Sequence, residues 1–359
     1  TADTLTGLSL IEDSTYYLSA RATDVAGNLS VVASGDGVTI DLTAPAGTIV
    51  NDGTGDDIVY SGSDSTLSAV WPAFTETVSG ISKYEYAIGS SSGGTNVVDW
   101  TTTTTDTFVT KAGLTLTSGT AYYISVKATD NAENESTTIT SDGVIVDTDG
   151  PISGTVLDGT SADIDWTNST SSLTATWSGF SDTLSGIQKY EYAIGTSSGG
   201  TDVVDWTNNT TDTSVTKTGL TLTNGTTYYL SIRAADNVGN VSTIVTSDGI
   251  TVDTDVPIIS SVIEGSSTAD IDYQNSDTTL IIIWIGSDTA SGIAQYEYAL
   301  GTAAAASNTV AWTNAGTTTA DTLTGLSLIE DSTYYLSARA TDVAGNLSVV
   351  ASGDGVTID

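Results

Sequence analysis

Apolar residues alternate with polar ones in short runs along this chain, and each run ends in a cluster of Gly, Asp, Asn and Ser. Between residues 148 and 253, Leu173, Ala175 and Trp177 fall on one face, as do Tyr190, Tyr192 and Ile194, then Tyr228, Leu230, Ile232 and Ala234, and finally Ile250 and Val252. A period of two marks half-buried strands. The pattern predicts strand A over 152–157, B around 173–177, C around 190–194, a short C′ over 203–206, E over 215–222, F around 228–234 and G over 250–252. No stretch carries a helical period. Seven short strands in about 106 residues fit a two-sheet sandwich, and a unit of that length builds its own core without cross-links.

The pattern repeats. Residues 1–41 recur unchanged at 319–359, and cutting after Asp41, Asp147 and Asp253 gives three units of 106 residues. SGISKYEYAIG at 79–89 returns as SGIQKYEYAIG at 185–195 and SGIAQYEYALG at 291–301. The third unit gains one residue before Ile271 and loses one after Trp284. A fixed long period is the signature of a repeat array, and an unchanged 41-residue copy implies recent duplication of a three-unit block. The expected organisation is the E–F–G part of a preceding repeat over 1–41, then repeats over 42–147, 148–253 and 254–359. The first 41 residues lack the strands they would pair with, so alone they should be poorly ordered.

Composition narrows the setting. Cys, His and Met are all absent, so there is no disulfide and neither of the commonest general base and metal ligand. The 44 acidic and 8 basic residues give a net charge of −36. Nucleic acid is excluded as a partner, because its phosphates demand Lys and Arg, and anionic membrane surfaces are disfavoured. No apolar run approaches the length that spans a bilayer. Charged residues are only 14% of the chain, and β-formers abound, so the charge excess does not read as disorder.

LTATW on strand B, KYEY on C and GLTLTNGTTYYLSIRAAD over E to F resemble the fibronectin type III pattern. Trp177, Tyr190 or Tyr192, Leu222 and Tyr228 stand at its marker positions. Their counterparts are Trp71, Tyr84, Leu116 and Tyr122, then Trp284, Tyr296, Leu328 and Tyr334. The usual Pro before the F-strand turn is replaced by Ser118 or Asn224. The A-x-D-x-x-G-N loops and V-D-T-x-x-P linkers are similar to those of bacterial immunoglobulin-like repeats in giant secreted adhesins. This resemblance, which covers the whole chain, implies all-β tandem sandwiches in a linear array, an extracellular or cell-surface location, and a type I secretion route.

Two chemical readings of the acidic residues compete. The linkers Asp147-Thr148-Asp149-Gly150-Pro151 and Asp253-Thr254-Asp255-Val256-Pro257 enter a repeat at the pole that carries its B–C and F–G loops. Those loops hold Asp182, Asp236 and Asn240 in one unit and Asp288, Asp342 and Asn346 in the next. In the first unit the set is Asp41, Glu76, Asp130 and Asn134, with Thr43 where the other linkers have Asp, so that junction should bind weakly or not at all. Packed carboxylates and loop carbonyls suit Ca²⁺, a hard ion taking six to eight oxygens. Alternatively, Asp and Asn simply cap their own turns, which is the reading for the SDG turns at Asp142 and Asp248. The A–B aspartates (Asp52, Asp56, Asp57; Asp158, Asp163, Asp165) lie at the opposite pole and are expected to face the following linker.

Glu85, Glu191 and Glu297 recur in register. A catalytic carboxylate copied into every unit, without His or Cys, argues against an enzyme. Trp71, Trp177 and Trp284 read as core. Trp100, Trp206 and Trp312 either pack under a loop or stack on a sugar ring. The expected role is a spacer in a surface adhesin, stiffened by Ca²⁺ at its linkers, whose partners are the neighbouring repeats. The alternatives are a laterally self-associating filament or sheath and a carbohydrate-binding array.

Overall fold

The computed structural model describes residues 3–265 and 269–359. Thr1 and Ala2, at the start of the 1–41 segment, and residues 266–268, where the third unit's extra residue falls, lie outside them. The described residues form two units: residues 3–149 with 183–185 and 237–240, and the remainder. All regular structure among them is β-strand.

The middle repeat shows the plan. Strands A (Thr155–Asp158), B (Ser172–Ser178) and E (Ser214–Thr218) make an antiparallel sheet in the order A-B-E. Strands C′ (Val204–Asn208), C (Ile187–Gly195), F (Thr227–Asp236) and G (Ile250–Val252) make the facing sheet in the order C′-C-F-G. This is an immunoglobulin/fibronectin III-like β-sandwich. It recurs before, over Asn51–Asp52 (A), Thr66–Val70 (B), Ile81–Gly89 (C), Val98–Thr102 (C′), Phe108–Ala112 (E), Ala121–Asp130 (F) and Val144–Val146 (G). It recurs after, over Ile258–Glu264, Thr279–Ser287, Ile293–Gly301, Val310–Gly316, Ala320–Thr324, Thr333–Asp342 and Val356–Ile358.

Two details depart from the pattern expected from alternation. Strand A does not run straight into B. After Asp158 the chain crosses to the other sheet, where Trp166–Thr167 (strand A′) pairs parallel with G; Tyr60–Ser61 and Tyr273–Gln274 do the same. Strand G is also split. Val245–Thr246 pairs with F before the Ser247-Asp248-Gly249 bend interrupts the ladder, and Gly249 at φ 106° supplies the left-handed backbone that this bend requires.

Each sandwich has its own core. The middle one draws Val156, Leu173, Ala175 and Trp177 from the A-B-E sheet, and Tyr190, Tyr192, Ile194, Leu230, Ile232 and Val252 from the other. Separate clusters occupy residues 50–146 and 262–358. Trp177 packs edge-on to Tyr190 at 5.7 Å, as Trp71 does to Tyr84 at 5.9 Å. The indole N–H finds no acceptor in any of the three repeats. That costs roughly 1–3 kcal/mol, less than the roughly 4–6 kcal/mol gained by burying an indole. At the E–F turn, the Tyr122, Tyr228 and Tyr334 hydroxyls accept hydrogen bonds from the amides of Thr117, Thr223 and Ile329 at 2.9–3.0 Å. Each F strand is thereby pinned to the loop that precedes it.

The unchanged 41-residue copy, which matches only the E–F–G part of a repeat, shows what strands A, B, C and C′ contribute. Tyr334 and Leu336 are 3% and 0% exposed, whereas Tyr16 and Leu18, the same residues of the copy, are 37% and 69% exposed. The ten-residue F strand Thr333–Asp342 corresponds to two-residue pieces, Thr15–Tyr16 and Ser19–Ala20.

Candidate functional site

The linkers, the B–C loops and the ends of strand F converge where a repeat begins. In the first repeat, Asp41, Glu76 and Asp130 place carboxylate oxygens within 4.8 Å of one another; in the third, Asp253, Asp288 and Asp342 do so. Asp253 is fully buried. Its Oδ1 accepts from the Asp255 amide and its Oδ2 from the Ser291 amide, each at 3.0 Å. Asp288 Oδ2 accepts from the Ala290 and Gly292 amides. Asp342 accepts from the Asn346 amide at 2.7 Å and from its side-chain nitrogen at 2.8 Å. The first junction matches. Asp41 accepts from the Thr43 and Ser79 amides, Glu76 from those of Val78 and Ser79, and Asp130 from those of Ala132 and Asn134. Hydrogen bonding from Ser79, then from the Thr43 amide, holds Asp41 below the usual carboxylate range.

At the middle junction, Asp147 is fully buried and accepts from the Ser185 amide at 3.1 Å and the Asp149 amide at 3.3 Å. Asp182 accepts from the Gly186 amide at 2.7 Å, and Asp236 is fully buried at the end of strand F.

The loop asparagines hold the linker backbone. Asn134, Asn240 and Asn346 donate their side-chain N–H to the carbonyls of Asp41, Asp147 and Asp253 at 3.1, 2.9 and 2.8 Å. These amides therefore tie a loop to the linker through their nitrogen.

Asp149 and Asp255, also read as ligands, face another way. Ser118 Oγ donates to Asp149 Oδ2 at 2.8 Å, and Asn224 Nδ2 donates to Asp255 Oδ2 at 3.0 Å. Both are contacts with the E–F turn of the preceding repeat. At the first junction the chemistry is exchanged: Thr43 Oγ1 donates to Glu12 Oε1 at 3.1 Å, and the Leu42 amide donates to Glu12 Oε2 at 2.8 Å. Glu12 stands where the later repeats have Ser118 and Asn224. Thr43 is thus the complement of an acid on the other side of the contact.

A second set of carboxylates gathers at the A-to-A′ crossover. Oxygens of Asp52, Asp57 and Asp142 lie within 4.8 Å of one another, as do those of Asp158, Asp163 and Asp248. The SDG aspartates, read as turn residues, thus join the A–B aspartates of their own repeat, which were expected to face the following linker. Asp52 and Asp158 are fully buried, while the other four are exposed. Burial pushes Asp52 and Asp158 up to about 6. The neighbouring charges add to this, and the nearby Ser141 or Ser247 hydroxyl and the Gly143 or Gly249 amide offset it in part.

Five of the eight basic residues are engaged elsewhere. On the outer face of C and F, Glu85 pairs with Lys83 and Lys127, Glu191 with Lys189 and Arg233, and Glu297 with Arg339. Lys189, then Arg233, hold Glu191 below the usual range. The three recurring glutamates are therefore ion-pair partners. Lys127, Arg233 and Arg339 lie over the rings of Trp100, Trp206 and Trp312 at 4.8, 4.3 and 4.4 Å. A cation covers one indole face in each repeat.

Among the described residues, no helix is long and apolar enough to cross a membrane. No family model matches the chain. The chain is similar to Exoglucanase B of Cellulomonas fimi, with 30% identity over 353 residues; the match takes in 95% of this chain and 28% of the length of that protein. Among solved structures it is similar to the FN1–FN3 domains of chicken CNTN1, with 14% identity, 88% of this chain and 98% of that chain covered, and a TM-score of 0.34. It is also similar to the fibronectin(III)-like modules of Clostridium thermocellum CbhA, with 16% identity, 57% and 94% covered, and a TM-score of 0.31.

Proposed function

We propose that this chain is a run of non-catalytic spacer modules in a bacterial extracellular protein, each joined to the next through a fixed, acidic junction that takes up Ca²⁺. The observation that carries the reading is the junction itself. At successive junctions a loop asparagine holds the linker carbonyl and an E–F turn holds the next linker residues, through partners that change identity while keeping the contact. Modules that merely follow one another have no need of such complementary pairs.

The Ca²⁺ part rests on the three-carboxylate clusters. Two carboxylates 4.8 Å apart repel by about 3–4 kcal/mol at an effective dielectric near 20. Lys83, Lys127, Lys189, Arg233 and Arg339 form their ion pairs on the C–F face instead. Amide donors offset part of the repulsion. A divalent cation held by Asp41, Glu76 and Asp130, or by Asp253, Asp288 and Asp342, would offset the rest and fix the linker to both loops.

The proposed parent is a cell-surface adhesin in which the modules hold a functional end away from the cell. A second reading is favoured by the similarity to Exoglucanase B: connector modules of a secreted exoglucanase. Both assign the same work to this segment. Sedimentation velocity over a concentration series tests it. A single monomeric species supports the spacer, and growth with concentration replaces it with a filament. Binding on a glycan array would move the assignment to carbohydrate recognition, against the cation-covered indoles of strand C′.

A further inference from the structure

We propose that each repeat also carries a divalent-cation site of its own, independent of the junctions, where strand A leaves the A-B-E sheet: Asp52, Asp57 and Asp142 in the first repeat, Asp158, Asp163 and Asp248 in the second, and Glu264, Asp270 and Asp354 in the third.

The cluster alone would not carry this; the orphan oxygens do. Asp52 and Asp158 are fully buried. Gly143 and Gly249 donate their amides to one oxygen at 3.1 Å, and the other oxygen, Oδ1 in both, is buried without a hydrogen-bond partner. A buried unpaired carboxylate oxygen is expensive, and two further carboxylates at the same spot make it more so. The exposed Asp57 and Asp142 are set over it by the backbone: the Asp52 amide donates to Asp57 Oδ1 at 2.8 Å, as the Asp158 amide does to Asp163 at 2.9 Å. The result is a buried acid at the base and two exposed acids at the mouth. A solvated cation can reach that arrangement, and its all-oxygen donors suit Ca²⁺.

The third repeat supplies the independent test. In the first two repeats a serine hydroxyl beside the acid accepts from strand F: Ser141 from the Ile124 amide and Ser247 from the Leu230 amide, both at 3.0 Å. The third repeat has Gly353 at that place and Glu264 in place of the Asp. The longer side chain takes over the serine's bond, accepting from the Leu336 amide through Oε1 at 2.8 Å. A Cβ at 353 would overlap its carboxylate. Glu264 Oε2 still remains buried and unpartnered, and Asp270 still accepts from the Glu264 amide at 3.0 Å. The hydrogen bond to strand F has thus been rebuilt by a different pair of residues, and the unpaired acid oxygen has been kept. A side chain present only to accept from strand F would not leave an oxygen orphaned in all three settings.

Calorimetric titration of CaCl₂ into the full chain tests the proposal, at a pH above the range in which the buried acids titrate. Two variants are used: Asp52→Asn/Asp158→Asn/Glu264→Gln at the base, and Asp57→Asn/Asp163→Asn/Asp270→Asn at the exposed mouth, where misfolding is not at issue. Each variant should lose three Ca²⁺ equivalents, or bind them roughly tenfold or more weakly as a charge leaves the ligand set, while junction binding persists. If the junctions bind nothing, the unaltered chain takes up three and the base variant none, which leaves this proposal standing. Unchanged stoichiometry and affinity in both variants would overturn it.

Discussion

The exchange of Asp–Ser for Glu–Gly predicts a double-mutant cycle in the third repeat. Gly353→Ser alone puts a Cβ and a hydroxyl into space occupied by the Glu264 carboxylate. Overpacking costs roughly 1–3 kcal/mol, and a displaced Glu264 abandons the Leu336 amide, which is fully buried, at about 1–3 kcal/mol more. Glu264→Asp alone orphans the same amide and leaves a methylene-sized void, for about 2–3 kcal/mol. The double variant rebuilds the pair of the other repeats, with the introduced serine accepting from Leu336 as Ser247 does from Leu230. It should lie within about 1 kcal/mol of the parent, a coupling of at least about 3 kcal/mol, at or beyond the top of the roughly 0.5–3 kcal/mol range for touching residues. Because a chain of several cores need not unfold in one step, the readout is hydrogen exchange of the Leu336 amide. The singles should lose protection and the double regain it. Additive losses in the double variant would show that the two positions are not exchanging one hydrogen bond.

Three further outcomes follow from the geometry. In chelator, stability should rise as pH falls from about 7 toward about 5. Burial holds Asp52 and Asp158 at about 6 and Glu264 at about 7, above the ordinary carboxylate values of 3.8 and 4.5, so the folded chain takes up protons first; that stability is lost as pH rises through 6–7, about 1–2 kcal/mol per site after screening through the open mouth. A chemical-denaturation series against pH with the opposite slope would refute it. Tyr228→Phe should cost about 1–2 kcal/mol by leaving the Thr223 amide without its acceptor, seen as faster exchange at Thr223. Asp253→Ala, at a fully buried position, should lower the melting temperature far more than Asp255→Ala, whose exposed contact with Asn224 is worth under about 1 kcal/mol; equal effects would contradict the assigned roles.

The sandwich was legible because alternation in B, C and F is clean: Leu173, Ala175 and Trp177 face Tyr190, Ile194, Leu230 and Ile232. The crossover to A′ was not, since Trp166–Thr167 is too short to show a period. The convergence of linker, B–C loop and strand-F end followed from sandwich topology. The burial of Asp52 and Asp158 did not, because Asp in a Gly-rich stretch has the composition of an exposed turn. The contact of Asp149 with Ser118 was hidden for another reason: its partner lies 31 residues earlier, on a turn whose approach depends on the fold. The signal that could have revealed both is the comparison of repeats, position by position. Thr43 varies together with Glu12, and Gly353 together with Glu264. Such paired changes point to contact before any coordinates are available.

Small-angle scattering of the whole chain, in millimolar Ca²⁺ and in chelator, tests the proposed cation-fixed junctions most directly. The account predicts that Ca²⁺ shifts the dimensionless Kratky plot toward that of a less flexible chain, and that the shift is lost when Asp41 and Asp253 are replaced by Asn. Superimposable curves with and without Ca²⁺ would contradict it.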